Sequence, residues 1–177
     1  MASPETSSVA SRLCEACGMC CNGVMFHTMI LQSADSAPAL KGLGLKVKQR
    51  KEKRYIEQPC PAHQKGCCTI YESRPIRCRL FECRQLKRVA SGETTEATAL
   101  EKIHEAKRLV NHLEALLEKA GGENTRRPLS KRYESVTTVP LDASADETTQ
   151  GFRQELMESF EELDALLDAE FRVEDKA

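Results

Sequence analysis

Apolar residues recur at every third or fourth position along much of the second half of the chain, which is the spacing of a helix with one buried face. One such stripe covers residues 100–120 and ends at consecutive glycines, and the other covers residues 152–171. The segment between them, 123–145, is polar, contains two prolines and is predicted to be a long surface loop. The stripes predict an antiparallel pair of helices that packs on the rest of the chain or on a second copy of it.

The first half of the chain carries shorter patterns that predict small elements. Residues 1–11 are small and polar and are expected to form a disordered tail. Apolar and charged positions alternate after residue 44, which is typical of paired strands, and Ser73 and Pro75 suit the start of a helix. The predicted elements are short strands at 24–26 and 29–31, a helix or turn at 33–42, a hairpin at 44–56 and a helix from 75 to 90.

Composition narrows the class of protein. The chain has 177 residues but only five phenylalanines, three tyrosines and no tryptophan, so its apolar core is thin for its length. A net charge of −1 argues against a strongly basic nucleic-acid-binding protein. No apolar stretch approaches the roughly 20 residues that a membrane span needs, and the first residues lack the pattern of an export signal. A cytoplasmic protein without a membrane segment is therefore expected.

The polar residues of two surfaces are predicted to be solvated. Six lysines and arginines lie between residues 46 and 54, within the predicted hairpin. A charged edge strand explains them better than a polyanion site, because no aromatic residues alternate with the basic ones. Nucleic acid is therefore not an expected partner. His104 and His112 lie off the apolar rows of their helix and are predicted to be surface residues.

All nine cysteines lie between residues 14 and 83, and this is the most informative feature of the sequence. In a chain without an export signal, dense cysteine more often binds metal than forms disulfides. The charge divides near the same place, since residues 1–91 carry 15 lysines and arginines against 7 acidic residues. Such a basic surplus would stabilise thiolates. A disulfide-rich interaction protein is the alternative interpretation.

The sharpest local pattern is Cys14-x2-Cys17-x2-Cys20-Cys21. Two-residue spacing allows thiolates on one loop to reach a common metal, as in zinc knuckles and ferredoxin loops. In ferredoxins a further ligand followed by proline comes from elsewhere, and Cys60 has that form here. Cys20 and Cys21 are adjacent and point in different directions, so they are expected to serve different metals or different roles.

A second group of potential ligands follows the predicted hairpin. Cys60 and His63 have the spacing of a ligand pair, and histidine is a good zinc ligand. The remaining members of this group are Cys67, Cys68, Cys78 and Cys83. Together the two groups could supply one cluster with spare cysteines or two four-coordinate sites, and the sequence does not choose between them.

Two blocks, CEACGMCCNG at 14–23 and CTIYESRPIRCR at 68–79, with Cys60-Pro61 between them, resemble the YkgJ-type cysteine-cluster proteins, a zinc- or iron-chelating domain. The resemblance covers residues 12–84 and implies a small cytoplasmic metal-binding domain. One related group, the flagellin lysine N-methylases, resembles iron–sulfur enzymes that use S-adenosylmethionine. Methylase activity is not carried over, because the chain has no glycine-rich nucleotide loop. The ligands that the resemblance implies are Cys14, Cys17, Cys20, Cys21, Cys60, Cys68 and Cys78, and Cys67, Cys83 and His63 fit its pattern less regularly.

Four residues of the second block are expected to surround the ligands. Our hypothesis is that Arg74 and Arg79 supply N–H donors and positive charge to the thiolates, and that Glu72 orients one of these arginines. Tyr71 would lie beside them. The alternative is that Arg74 forms a structural ion pair and Tyr71 belongs to the core.

The sequence predicts a mainly helical α+β fold. A small, metal-stapled cysteine-rich unit with a short hairpin, at 12–91, precedes a helical hairpin with a long connecting loop, at 92–177. The expected function is coordination of iron, as an iron–sulfur cluster, or of zinc. The alternative is an iron–sulfur-dependent enzyme, protein-modifying or redox, related to lysine N-methylases. Besides the metal ion, the expected partner is a protein or a second copy, bound through the C-terminal helices.

Overall fold

The computed structural model describes residues 8–121, 124–140 and 147–173, and in these ranges the fold is mainly helical with small antiparallel sheets. This confirms the predicted α+β class. The helices are Val9–Cys17 (α1), Ala37–Gly42 (α2), Ile76–Leu80 (α3), Arg84–Ala90 (α4), Glu96–Lys119 (α5), Leu129–Thr137 (α6) and Glu147–Glu170 (α7). The strands are Thr28–Ile30 (β1), Val47–Arg50 (β2), Lys53–Glu57 (β3), His63–Gln64 (β4) and Cys67–Cys68 (β5).

Helices α5 and α7 pack against each other and run antiparallel, as their apolar stripes predict. His112 Nε2 on α5 lies 3.8 Å from Glu155 Oε1 on α7. Lys102, nearer the start of α5, interacts electrostatically with Glu170 at the end of α7. None of the helices in the described ranges is long and apolar enough to cross a bilayer. The buried residues of this layer, here called the helical core, are Leu13, Met19, Ala99, Ile103, Ala106, Leu109, Val110, Leu113, Leu116, Leu117, Leu129, Leu156, Leu163, Leu167 and Phe171.

The connection between the long helices was predicted to be a loop, and this is wrong for its middle part. Helix α6 lies there, and its Tyr133 ring stacks on Phe160 of α7 with ring centroids 4.0 Å apart. Arg132 is only 5 % exposed and pairs with Glu114 of α5 at 3.0 Å. A helix of nine residues shows too few turns for a clear apolar period. Residues 123 and 141–146 of the predicted loop lie outside the described residues.

The predicted hairpin is present as β2 and β3, and β1 joins it to give the strand order β1–β3–β2. Ile56 lies opposite both Met29 and Val47, so apolar side chains meet at the centre of the sheet. Lys48 on the edge strand pairs with Glu57 at 2.5 Å, and most of the basic residues are exposed. The buried residues beneath the sheet, here called the sheet core, are Leu31, Ala37, Leu40, Leu45, Ile56 and Ala62.

Helix α1 begins inside the segment predicted to be a disordered tail. The Ser8 side chain accepts a hydrogen bond from the backbone N–H of Ser11 at 3.2 Å and caps the helix. Arg12 then forms a two-pronged ion pair with Glu96, at 2.7 and 2.8 Å, which fixes α1 to the first turn of α5. Residues 9–11 are therefore helical, and residues 1–7 of the predicted tail lie outside the described residues.

The helix predicted from 75 to 90 is divided into α3 and α4. Phe81 has extended backbone dihedrals and packs edge-on against Phe26, with ring centroids 5.1 Å apart. The chain turns at this point and α4 starts after Cys83. The sequence pattern continues evenly from α3 to α4 and does not show the break between them. The break coincides with the contact between Phe81 and Phe26, which are far apart along the chain.

Candidate metal centre

All nine cysteines line one and the same cavity of about 570 Å³. The cavity lies between the two hydrophobic cores, because Cys17 packs against the helical core and Cys60 against the sheet core. Apolar side chains such as Met25, Phe26 and Ile56 form much of the remaining wall. The residues singled out by the sequence therefore come together in space although several elements separate them.

The first cysteines are placed by α1 and the turn that follows it. Cys14 and Cys17 lie three positions apart on a helix, so they share one face. The expectation that both lie on a loop is therefore wrong. Gly18 ends the helix with φ of 68°, donating its N–H to Cys14 O at 2.9 Å, and Cys21 N–H donates to Gly18 O at 2.9 Å. The turn thus carries Cys20 and Cys21 back into the cavity.

The second group is placed by the small hairpin β4–β5, which the sequence analysis missed. Cys60 donates its backbone N–H to Cys21 O at 2.8 Å and accepts at its own carbonyl from His63 N–H at 3.0 Å. His63 then pairs directly with Cys68 across the hairpin. The missed signal is Lys65-Gly66, which forms the turn with φ of 51° and 81°.

Asp35 fixes the helix that carries Cys78. Its carboxylate is 8 % exposed and accepts hydrogen bonds from the backbone N–H groups of Ile76 at 2.9 Å and Gln32 at 2.8 Å. Ile76 is the first residue of α3, so Asp35 satisfies an N–H group that the helix leaves without an internal partner. No local signal marks Asp35, because its partner lies far along the chain.

Cys83 enters the cavity from the start of α4. The next residue, Arg84, donates its backbone N–H to Phe171 O at 3.0 Å, and its guanidinium donates to the carbonyls of Asp168 and Ala169 at the end of α7. The backbone N–H groups of Leu86 and Gln85 lie near the Cys83 sulfur and partly offset the rise in its pKa. Cys83 is thus held against the helical layer.

Burial raises the pKa of the thiols. The pKa of Cys17 and of Cys21 is raised to about 12, and that of Cys78 to about 11. In each case loss of hydration is the largest cause of the higher pKa and repulsion between neighbouring thiolates adds to it; for Cys17 and Cys78 smaller contributions oppose the rise. The thiols are therefore protonated at neutral pH without metal, and a bound metal must displace their protons. The thiols of Cys14, Cys20, Cys60 and Cys83 have raised pKa values for the same leading reason.

Two cations oppose this effect of burial. Arg74 lowers the pKa of Cys14 and Cys78, and it is held by a hydrogen bond from its Nε to Tyr71 O at 2.8 Å. Its guanidinium carbon also lies 3.6 Å from the centroid of the Tyr71 ring. Lys107 of α5 lowers the pKa of Cys17 and donates to Ala16 O at 3.0 Å. Much of the basic surplus of the first half instead lies on the β2–β3 hairpin.

Of the other residues expected around the ligands, Tyr71 lines the cavity and Glu72 and Arg79 do not. Tyr71 lines the cavity and its hydroxyl lies 2.6 Å from Ser11 Oγ. Glu72 and Arg79 are exposed and lie outside the cavity lining, whereas Arg77, which the sequence analysis did not select, lies within it. Cys67 is exposed at the turn of the small hairpin.

Two further polar atoms face the cavity without a hydrogen-bond partner among the described residues, His63 Nε2 and Gln58 Oε1. The His63 ring lies against Gly18 so closely that a Cβ there would be 3.0 Å from Nε2. Gln58 is 5 % exposed. A buried polar atom without a partner costs free energy, so both atoms are suited to contact a bound group.

The donor set fits a soft metal. Thiolate sulfur and imidazole nitrogen are the usual ligands of zinc and of iron–sulfur clusters. Within residues 8–121, 124–140 and 147–173, no three His, Cys, Asp or Glu side chains already stand close enough together to hold one ion. The cavity thus presents neighbouring thiols rather than a finished coordination shell, and the thiols would have to turn in order to hold a metal together.

Residues 13–108 match the family CxxCxxCC, described as "Putative zinc- or iron-chelating domain". The match covers more than half of the chain, which therefore belongs to this family. It extends beyond the resemblance at 12–84 and across the expected boundary at residue 91, into α5. No curated protein and no solved structure matches the chain.

Proposed function

We propose that this member of the CxxCxxCC family binds iron through the cysteines of its cavity, held as an iron–sulfur cluster, with zinc as the alternative metal. The proposal is carried by one observation: nine cysteines from separate helices, turns and strands line the same cavity. Neutral thiols can pack without any metal, but nine of them around one cavity form a set of soft ligands of the kind that zinc and iron–sulfur clusters use.

The size of the cavity favours a cluster over a single ion. A zinc ion with four thiolates at about 2.3 Å is compact and closes its own coordination shell. The cavity here has a volume of about 570 Å³ and its thiols are spread around the wall. An iron–sulfur cluster would distribute the thiolates over several iron atoms and would therefore suit ligands that are spread in this way.

The chain's own residues supply ligands and balance their charge. The cysteine thiolates that line the cavity would hold the iron, which as an iron–sulfur cluster would supply one-electron transfer or structural cross-linking when bound. Arg74 and Lys107 offset part of the negative charge, as their effects on the pKa of Cys14 and Cys17 indicate. The apolar side chains of the wall lower the local dielectric constant and thereby strengthen these interactions.

An iron–sulfur-dependent enzyme, protein-modifying or redox, is the second candidate. It is favoured by Gln58 Oε1 and His63 Nε2, which could bind a further molecule next to the thiolates. A change in the electron paramagnetic resonance of the reduced protein on addition of S-adenosylmethionine would support it. An unchanged spectrum in the presence of this compound would count against the methylase-like form of this candidate.

Metal analysis of protein purified without oxygen tests the main proposal. We expect stoichiometric iron and sulfide, and a visible absorption that dithionite bleaches. Cys21→Ser should lose metal, whereas Cys67→Ser, at the exposed turn, is the matched control and should retain it. Colourless protein with stoichiometric zinc would select the alternative metal, and protein without any metal would refute the proposal.

A further inference from the structure

We infer that the cavity holds two separate four-cysteine sites side by side, with Cys83 in the first and Cys67 in neither. The inference rests on the proposed function and specifies how the ligands are divided. The first set is Cys14, Cys17, Cys20 and Cys83, and the second set is Cys21, Cys60, Cys68 and Cys78. Each set has the four thiolates that a closed zinc site or an iron–sulfur cluster uses.

The first set belongs to the helical layer. Cys14 and Cys17 lie on α1, Cys83 precedes α4, and both α1 and α4 pack against α5. Cys17 touches the helical core, and the residue after Cys83 is hydrogen-bonded to Phe171 of that core. Cys20 lies in the turn that directly follows α1.

The second set lies on the side of the sheet core. Cys60 touches the sheet core and is hydrogen-bonded through its backbone to Cys21 at 2.8 Å. Cys68 lies on the small hairpin next to Ala62 of that core, since Thr69 donates its backbone N–H to Ala62 O at 2.9 Å. Cys78 lies on α3, which packs against β1.

Mutual repulsion among the thiolates follows the same division. Within the first set every pair of cysteines is close enough that one thiolate raises the pKa of the other. The same holds for every pair within the second set. Between the sets this repulsion joins Cys21 to its neighbour Cys20 and, as the weakest of its four cysteine neighbours, to Cys14.

Cys20 and Cys21 form the junction between the two sets. Their Cα atoms are separated by one peptide unit, about 3.8 Å, so the two sites must be immediate neighbours. The backbone of Cys21 is bonded at both ends, to Gly18 O through its N–H and to Cys60 N–H through its carbonyl. This anchoring directs Cys21 to the sheet side while Cys20 stays with α1.

Paired substitutions test the division by metal content per chain, measured by native mass spectrometry on anaerobically purified protein. Cys83→Ser and Cys78→Ser should each lose about half of the metal, and Cys67→Ser should lose none. Cys14→Ser combined with Cys83→Ser should lose no more than either alone, because both belong to the first set. Cys83→Ser combined with Cys78→Ser should lose all of it.

The division is overturned if Cys83→Ser retains all the metal, or if any single substitution removes all of it. Metal-free wild-type protein would refute the proposed function and this inference together. Wild-type protein that binds metal, with a single substitution that removes all of it, would refute the division alone.

A measurement on the wild-type chain covers the case in which serine variants do not fold. Metal is withdrawn in steps with a chelator, and the thiols that become reactive are alkylated and identified by peptide mass spectrometry. We expect the cysteines of each set to become reactive together, in two groups of four. Release of all eight in one step, or groups that mix the sets, would overturn the division.

Discussion

The backbone N–H of Cys60 donates to the carbonyl oxygen of Cys21 across 2.8 Å, and this bond joins the two cysteine-bearing segments of the chain. The bond lies between the two cores: Cys17 of the first segment packs against the helical core, and Cys60 of the second packs against the sheet core. The thiols are therefore gathered by packing and backbone hydrogen bonds, and a metal bound in the cavity would meet groups that are already neighbours.

Gly18 is predicted to be the most sensitive glycine of the site. It has φ of 68°, which costs about 1–2 kcal/mol for another residue. A Cβ at this position would also meet His63 Nε2 at 3.0 Å and displace the ring of this residue, whose backbone pairs with Cys68 across the small hairpin. We expect Gly18→Ala to lower both the free energy of unfolding and the metal content.

Gly44→Ala is the matched control for this change. Gly44 has φ of 85°, but a Cβ there would meet nothing within 4 Å. Its variant should show the backbone strain alone and keep its metal. Equal metal content in the two variants would show that the contact between Gly18 and His63 does not matter for the site.

Asp35→Ala is predicted to weaken the second set selectively. The change removes the acceptor for Ile76 N–H and Gln32 N–H, which should cost about 1–3 kcal/mol in unfolding free energy. Because α3 carries Cys78, metal should be lost from the second set and retained by the first. Asp35→Asn keeps one acceptor oxygen and should show a smaller loss. Uniform loss of metal from both sets would contradict the role given to Asp35.

Metal affinity is predicted to rise with pH over an unusually wide range. An ordinary thiol has a pKa of about 8.5, so its proton no longer competes with metal above that pH. Burial raises the pKa of Cys17 and Cys21 to about 12 and that of Cys78 to about 11. Protons therefore compete with Zn²⁺ well above pH 8.5, and each ion bound by four thiols should release about four protons.

The proton release can be measured in weakly buffered solution with a pH indicator during Zn²⁺ addition to the metal-free protein. An apparent affinity that becomes constant near pH 8.5 would mean that the thiols are not buried before the metal binds.

Arg74→Gln is predicted to speed the loss of metal to a chelator. The positive charge of Arg74 lowers the pKa of Cys14 and Cys78, one from each set, so its removal should weaken both sites. Arg79→Gln is the control, because Arg79 is exposed and lies outside the cavity lining. Equal rates for wild type and Arg74→Gln would assign Arg74 to the packing of Tyr71 alone.

The sequence was sufficient to predict an element or a group of ligands where its pattern repeats over a few neighbouring residues. The apolar periods of α5 and α7 and the alternation in β2 and β3 need no distant partner, and the spacing of Cys14, Cys17 and Cys20 is visible by itself. The break between α3 and α4 and the role of Asp35 were not visible, because contacts with residues far along the chain accompany both. The position of Cys83 depends in the same way on how α4 packs against α5.

The most direct test counts metal and reactive thiols in one sample. Protein purified without oxygen is alkylated under native conditions and its mass is measured with the bound metal retained. We expect bound metal and one alkylated cysteine, Cys67, with the other eight protected. A folded chain without metal in which all nine cysteines are alkylated would contradict it.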